Sequence, residues 1–406
     1  MVSILDGVFG KPSPAKFAQL MTRALQDAGV VDPIEFDEGS FLLRIGQNNV
    51  VNLRNYYDEY CALPRGSRKE YLAQMAVTAG TPTDLPERLE EVREALVPRI
   101  RERAYYELLP MHYARDLPEA DPKKLPSFRP FADHLAIGVA ADFPDRISEV
   151  SAELLETWGV SLEEALEIGR ENLWKRSAGK WEALADGVWL SPWRDNLDVC
   201  RLALPTLFRQ LTVDGDPVAF APNRDHLIVT GSRDFVGQGV AAAFAIGLLD
   251  EPRPMNGTPI ELDGLEWKPY QFGPDHPVWP LLQRLHIRSQ IEDYSTQKAL
   301  LDEKHEREET DIFVASYQGL EKQETKELRS MCTLTKTVDT LLPKAEWVVF
   351  MDVDLPKDKS FLGEARWERV VEVLGGRMVR QEGMYPERYR VQEFPTPEEI
   401  RALKLK

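Results

Sequence analysis

The chain has 406 residues, of which 43% are hydrophobic and 29% charged, a composition typical of a globular protein of two or three domains and not of a disordered chain. Its formal net charge of −17 disfavours binding to nucleic acid and to anionic membranes, and it is compatible with solubility or with a basic protein partner. The most apolar segment, residues 235–249, has 15 residues, fewer than the roughly 18 to 20 that span a bilayer.

Two further features indicate a cytoplasmic location. The sequence contains three cysteines, Cys61, Cys200 and Cys332, and no C-x-x-C pair. An odd number of widely spaced cysteines argues against a disulfide framework or a zinc ribbon and favours a reducing compartment. Residues 1–6 lack the cationic start and the long apolar stretch of a secretory signal.

The first 116 residues predict a domain that combines helices with a β-hairpin. Ser13 caps a helix that starts at Pro14, carries apolar side chains at helical spacing and ends at Gly29. The other predicted elements are strands at 34–36, 41–45 and 50–53, a helix at 68–79, and a longer helical stretch at 85–109 that breaks or kinks at Pro98.

Residues 117–130 hold four prolines and few large apolar residues, so we expect a linker there. A middle domain then covers residues 131–255. A second turn-rich segment, residues 250–258, separates it from a C-terminal α/β domain, residues 256–406.

The middle domain is predicted to combine strands and helices. Its predicted elements are a buried strand at 134–143, a helix that starts with a capping box of Ser161 and Glu164, a helix at 197–211 interrupted by Pro205, a hairpin of strands 218–221 and 226–229, and an apolar helix after Gly239.

The C-terminal domain is predicted to alternate between strands and helices. The strands are 260–262, 311–317, 331–335, 347–351 and 388–394, and the helices are 278–305 and 361–374. The fold class is therefore α+β or α/β, with mixed sheets packed against helices.

Three segments together resemble the YtpQ-like family of bacterial proteins, a domain of unknown function, most strongly over residues 130–350. They are FGKPSP at 9–14, WGVS with EEAL and NL between 158 and 173, and VAFAPNRD at 218–225. The resemblance implies a bacterial cytoplasmic protein. It implies no activity, cofactor or catalytic residue.

The strongest candidate for chemistry is Asp352-Val353-Asp354, which follows the apolar segment 347–351. Carboxylates at the C-terminal end of a strand are where α/β enzymes often bind metals, and side chains at i and i+2 share one face. Asp352 and Asp354 are therefore candidate ligands for Mg²⁺ or Mn²⁺. The alternative is a strand that ends in a solvated turn.

A second candidate is the polar tip of the 218–229 hairpin, formed by Asn223, Arg224, Asp225 and His226. A cation, an acid and an imidazole on one loop are suited to binding. The alternative is an ordinary turn, because Asn and Asp are common turn formers.

The segment Gly237-Gln238-Gly239-Val240-Ala241-Ala242 matches a dinucleotide-binding pattern, with Glu261 at a suitable distance. The preceding strand ends too early for that role, so close packing of an apolar helix is preferred. The sequence contains no P-loop, H-E-x-x-H or G-x-S-x-G motif.

Two function classes remain open. The preferred one is a non-catalytic binding or accessory protein that engages another protein, with no cofactor firmly implied. The alternative is a metal-dependent enzyme that acts on a phosphorylated or nucleotide-like small molecule through Asp352 and Asp354.

Overall fold

The computed structural model describes residues 11–46, 49–80, 85–116, 121–144, 146–251, 253–323 and 326–406. Three parts of the sequence-based predictions lie outside the described residues. They are residues 1–6, the first two residues of the 9–14 segment and residues 117–120 of the predicted linker. The described residues form two compact units. The N-terminal unit comprises those of 1–97, 116–127 and 139–172, and the C-terminal unit comprises those of 98–115, 128–138 and 173–406. The domain boundaries expected from sequence stay a prediction.

The fold is of mixed α+β type, which confirms the predicted class. The helices are Pro14–Asp27 (α1), Leu53–Ala62 (α2), Arg68–Gly80 (α3), Leu89–Val92 (α4), Arg103–Asp116 (α5), Ala152–Trp158 (α6), Leu162–Lys175 (α7), Pro205–Phe208 (α8), Phe235–Leu248 (α9), Trp279–Arg307 (α10), Trp367–Leu374 (α11) and Pro397–Leu403 (α12).

Within the described ranges, the strands form five mainly antiparallel sheets. They are Ile34–Asp37 (β1), Leu42–Ile45 (β2), Asn49–Asn52 (β3), Leu96–Glu102 (β4), Phe128–Phe131 (β5), Leu135–Asp142 (β6), Ile147–Glu149 (β7), Glu182–Ala185 (β8), Val188–Leu190 (β9), Pro217–Asn223 (β10), His226–Gly231 (β11), Ile260–Asp263 (β12), Glu266–Pro269 (β13), Phe313–Val314 (β14), Gln318–Glu321 (β15), Leu328–Thr335 (β16), Thr340–Pro343 (β17), Trp347–Met351 (β18), Phe361–Arg366 (β19), Val379–Arg380 (β20) and Arg388–Val391 (β21).

In the N-terminal unit, α1, α2 and α3 pack with the antiparallel sheet β1-β2-β3. The Ser13 hydroxyl accepts a hydrogen bond from the Lys16 amide at 3.2 Å, which confirms the predicted helix cap. Phe17, Met21 and Leu25 are fully buried, as their helical spacing predicts.

The helical stretch predicted at 85–109 is wrong in its middle part. Residues 96–102 form β4, and the helix resumes only at Arg103. Pro98 cannot donate a backbone hydrogen bond and disfavours helical geometry at Val97, so the extended conformation is the accessible one. The apolar residues that suggested a helix face are buried in the strand instead.

The C-terminal unit contains a six-stranded antiparallel sheet in the order β13-β12-β10-β11-β9-β8. β10 and β11 form the predicted hairpin, with Val218 opposite Thr230 and Ala219 opposite Val229. Helix α9 packs on this sheet, so the apolar run of 235–249 is largely a core helix, as predicted. The helix predicted at 197–211 is shorter and divided, with a 3-10 turn at Val199–Ala203 followed by α8.

Helix α10 is the longest element, at 29 residues, or about 43 Å. It packs against α9 and against β14, β15 and β16. The last three strands belong to two four-stranded sheets in the orders β14-β17-β21-β20 and β15-β16-β18-β19. Its buried residues lie on several sides of the helix, which explains why no single apolar stripe marks it.

The helix predicted at 361–374 begins six residues too early. Residues 361–366 form β19, antiparallel to β18, and α11 starts at Trp367. Gly363 adopts φ +133°, and a Cβ there would lie 2.8 Å from the carbonyl oxygen of Lys406. The C-terminal residues occupy that space through a pair of backbone hydrogen bonds between Glu364 and Lys406.

Arg388 on β21 makes a fully buried polar interaction in this unit. Its side chain is fully buried and has no carboxylate partner at hydrogen-bonding distance among the described residues. The guanidinium donates to Gln297 Oε1 at 2.5 Å and to the carbonyl oxygens of Ala315, Leu341 and Tyr294 at 2.7, 3.1 and 3.3 Å. It therefore links α10 to β17 and to the residue after β14.

We expect Arg388→Met to lower the free energy of unfolding by about 3–5 kcal/mol, because it leaves buried acceptors without donors. Equilibrium urea unfolding measures this change. The matched control is Arg390→Met on the same strand, which removes a partly exposed ion pair with Asp339 at 2.6 Å and should cost about 1 kcal/mol or less. Equal losses in both variants would contradict this role for Arg388.

Candidate functional site

A cavity of about 270 Å³ lies in the C-terminal unit beside α10. Three pieces of chain form it: the end of β4, the segment that follows α9, and the middle of α10. Its lining residues are Glu102, Leu249, Pro254, Met255, Asn256, Arg288, Ser289, Ile291, Glu292 and Asp293. Apolar side chains thus form one part of the wall and carboxyl, amide and hydroxyl groups the other, as in small-molecule sites.

Hydrogen bonds hold the segment after α9 against α10. The Ser289 hydroxyl accepts from the Gly257 amide at 3.0 Å, and Arg288 forms an ion pair with Asp250 at 2.6 Å. A Cβ at Gly257 would lie 3.0 Å from the Leu285 side chain, so the loop backbone approaches the helix closely. The shape of the cavity is therefore set by well-anchored elements.

Asp293 is the central polar group of the cavity. Its Oδ2 accepts a hydrogen bond from the Asn256 amide at 3.2 Å. The residue is partly buried and lines the cavity. Burial, followed by the negative charge of Glu102, raises the pKa of Asp293 to about 8. At pH 7 the carboxyl is therefore mainly protonated and can donate a hydrogen bond.

Two buried histidines lie near the same segment. The Thr258 hydroxyl is 3.1 Å from His286 Nδ1, and the Thr258 backbone and His286 both act on the pKa of His134. Burial lowers the pKa of His134 to about 3 and that of His286 to about 4. Both rings are neutral at pH 7, so they add no positive charge to this region.

The protonated carboxyl of Asp293 carries a measurable cost to stability. Its folded pKa of about 8 exceeds the unfolded value of 3.8, so the unfolded state ionises first as pH rises. This carboxyl therefore lowers the free energy of unfolding as the pH rises from 4 to 8. Above pH 8 it lowers the free energy of unfolding no further. We expect Asp293→Asn to remove this fall and to stabilise the protein by about 2–4 kcal/mol at pH 7.

Urea unfolding of the wild type and of Asp293→Asn at pH 5, 7 and 9 tests this. We expect the difference in free energy of unfolding between the two proteins to grow from pH 5 to pH 9. The control is Asp302→Asn on the same helix, where the carboxylate pairs with Lys298 at 2.7 Å near the surface. It should change the free energy of unfolding by less than about 1 kcal/mol. A pH-independent difference between wild type and Asp293→Asn would contradict the elevated pKa.

The predicted site at the hairpin tip lies beside this cavity. Asn223 is 3% exposed, and its Oδ1 accepts from the Asp225 amide at 2.9 Å and lies 3.4 Å from His226 Nδ1. Asn223 also forms a β-bridge with the cavity residue Pro254, and the Arg224 amide donates to the Arg253 carbonyl at 3.4 Å. The tip is a folded part of the wall region, and its side chains are not fully exposed.

The predicted metal ligands lie elsewhere in the unit. Lys336 Nζ is 2.9 Å from Asp352 Oδ2 and 3.1 Å from Asp354 Oδ2, so one ammonium bridges both carboxylates. Hydrogen bonding to Lys336 lowers the pKa of Asp352. In the part of the chain that the structure describes, no group of three or more His, Cys, Asp or Glu side chains is placed to hold a metal ion.

The metal hypothesis requires that Mn²⁺ raise the thermal unfolding midpoint and that the double variant Asp352→Ala/Asp354→Ala abolish the rise. Because Lys336 competes for the same carboxylates, Lys336→Met should enlarge the rise in the unfolding midpoint that Mn²⁺ causes. Differential scanning fluorimetry measures both effects. The hypothesis fails when Mn²⁺ shifts neither the wild type nor Lys336→Met.

The glycine pattern at 237–242 has a structural explanation. β11 ends at Gly231 and α9 begins at Phe235, with the Asp234 carboxylate accepting from the Gly237 amide at 2.8 Å as a helix cap. A Cβ at Gly237 would lie 2.4 Å from Thr230 Oγ1. This glycine allows the helix to start close to the sheet. The segment therefore serves close packing of an apolar helix, the role preferred from the sequence.

The principal cavity residues were not found from the sequence. Asp293 is one of many acids on α10, and nothing in its neighbours distinguishes a buried carboxyl from a solvated one. Asn256 had a weak signal, because Asn256-Gly257 ends the proline-rich segment 250–258 and marks a tight turn. Glu102 belonged to the segment that was predicted to be helical.

A scan against protein-family models gave no match, and searches of curated proteins and of solved structures gave no significant match. The resemblance to the YtpQ-like family stays a prediction from the sequence.

Over the residues described, no helix combines the length and the hydropathy that crossing a membrane requires.

Proposed function

We propose that this protein is a non-catalytic binding protein that holds a small organic molecule in the cavity at Asp293. The observation that carries the proposal is the position of the Asp293 side chain, which lines a cavity whose wall is partly apolar and accepts a hydrogen bond from Asn256 at 3.2 Å. Burial raises the pKa of this carboxyl and favours its protonated form. A neutral carboxyl acts as a hydrogen-bond donor to a ligand, as a hydroxyl or an amide does.

The size and lining of the cavity support a ligand of metabolite size. At about 270 Å³ it lies near the lower end of small-molecule sites, and Leu249, Met255 and Ile291 provide apolar contact. Strongly shifted pKa values are concentrated at functional sites, because a carboxyl that costs stability is easily replaced by an amide wherever it has no use.

The lining favours binding over catalysis. Arg288 is paired with Asp250, and the Ser289 hydroxyl accepts a backbone hydrogen bond, so neither is arranged as an activated nucleophile or base. The proposal extends the binding class expected from sequence but replaces its protein partner with a small molecule. Engagement of a basic protein remains a separate prediction from the net charge.

We also propose a bacterial, cytoplasmic location for this function. The support is the sequence resemblance to the YtpQ-like family and the free state of Cys61, Cys200 and Cys332, which is typical of a reducing compartment.

A thermal-shift screen of small carboxylic acids, amides, alcohols and phosphate monoesters tests the proposal. A ligand at 100 times its Kd stabilises the folded state by about 2.7 kcal/mol, which is readily detected. We expect at least one hit whose shift is lost in Leu249→Phe, because the larger side chain fills the cavity. Hits should persist in Glu261→Gln, which changes a second cavity, of about 410 Å³, on the same unit.

Hits that survive in Leu249→Phe would place binding elsewhere and would overturn the proposed site. A screen without hits would remove the small-molecule function and leave the protein-partner prediction as the leading one.

A further inference from the structure

The cavity beside α10 is lined by more acidic than basic side chains. Glu102, at the end of β4, and Glu292 and Asp293, in the middle of α10, contribute three carboxyl groups, and Arg288 contributes the one guanidinium among the described lining residues. A lining of this kind favours a ligand that carries positive charge, because charges across a binding interface are complementary. The strength of this preference depends on whether Arg288 is available to the three carboxyl groups.

The charge of Arg288 is engaged at the end of α9. Its Nη2 is 2.6 Å from Asp250 Oδ1, and its Nη1 donates to the carbonyl oxygen of Ile246 at 3.3 Å. Asp250 is not a lining residue, so the guanidinium is paired with a carboxylate outside the lining. The acidic groups of the cavity therefore receive little compensation from the basic residue beside them.

Two of the acidic groups are without direct partners. The side chains of Glu102 and Glu292 form no hydrogen bond or ion pair with another residue that the structure describes. The charge of Arg224 acts on Glu102 from outside the lining, but the two groups form no ion pair. Glu292 is exposed and therefore screened by solvent, whereas Glu102 is partly buried and retains more of its effect on a ligand in the cavity.

The third acidic group reports the negative potential of the site. After burial, the negative charges of Glu102 and then Glu292 raise the pKa of Asp293, so the potential favours positive charge at this carboxyl. Asp293 also acts on Tyr385, whose hydroxyl stays neutral at pH 7 because burial raises its pKa. An ammonium group beside Asp293 favours the ionised carboxylate, so the carboxyl proton passes to solvent when an organic cation binds.

We propose that the ligand of this cavity is a small organic cation, with an ammonium group bound by Asp293 and attracted by Glu102, and with an apolar body against the apolar part of the wall. This inference rests on the proposed function and names the chemical class of its ligand. The ammonium N–H groups donate to the Asp293 carboxylate oxygens in a charge-assisted hydrogen bond. A neutral alcohol binds the same cavity through the protonated carboxyl, but without the attraction between opposite charges.

Matched probes separate the ligand class from the function itself. Isothermal titration at pH 7 compares 2-phenylethylamine with 2-phenylethanol, which has the same ring and chain but an uncharged hydroxyl in place of the ammonium. We expect the wild type to bind the amine about tenfold or more tightly than the alcohol, the effect of a charge-assisted hydrogen bond. Leu249→Phe should abolish binding of the amine, which distinguishes the cavity from general attraction to an acidic protein surface.

Proton release provides a second readout that surface attraction does not produce. Titration of the amine in phosphate and in Tris, whose ionisation enthalpies differ, should give different heats, because the wild type releases up to one proton to the buffer. Asp293→Asn, which is expected to be more stable than the wild type, should abolish this difference and weaken amine binding about tenfold.

A further variant tests the contribution of the neighbouring charge. Glu102→Gln should weaken amine binding severalfold, because it removes an attracting carboxylate from the lining. Glu261→Gln makes the same chemical change in the second cavity and should leave amine binding unchanged. The thermal unfolding midpoint of each variant checks its folding.

An amine that binds the wild type no more tightly than the alcohol overturns the cation inference and leaves the cavity as a binding site. Equal heats in the two buffers, or a preference for the amine that persists in Asp293→Asn, also overturn it. Failure of both probes to bind, together with the absence of hits in the fragment screen, overturns the proposed function as well.

Discussion

The C-terminal unit depends on the satisfaction of buried polar groups along α10. Arg388 supplies four hydrogen bonds that connect this helix to the neighbouring strands, and Gln297 completes the arrangement by donating to the Pro386 carbonyl at 2.7 Å. These hydrogen bonds offset the cost of burying the guanidinium and hold the helix against the neighbouring strands. The helix in turn carries Ser289 and Asp293 into the cavity wall.

The helix therefore contacts one buried polar group that stabilises the fold, Arg388 on β21, and carries another that costs stability, Asp293. Arg388 compensates its burial with neutral acceptors, whereas Asp293 compensates by keeping its proton, with one hydrogen bond from Asn256. The proposed function accounts for this difference, since a rigid scaffold can hold a destabilising group in a fixed geometry for a ligand.

Local sequence patterns predicted much of the fold. The cap at Ser13, the capping box of Ser161 and Glu164, the β10-β11 hairpin and the long helix α10 all follow from short-range rules, and the structure confirms them. The secondary-structure predictions failed in segments whose apolar residues fit the spacing of a helix as well as that of a strand. The segments 85–109 and 361–374 each contain a strand, because Pro98 and the tight approach at Gly363 decide the backbone where apolar spacing does not.

The sequence by itself determined the composition class, the helix caps, the hairpin and the location of a polar tip at 223–226, because each depends on neighbours within a few residues. Only the tertiary structure decided that this tip lies beside a cavity and that Lys336 bridges Asp352 and Asp354. It also decided the protonation of Asp293, since the pKa of a carboxyl depends on burial and on charges such as Glu102, 191 positions away in the sequence.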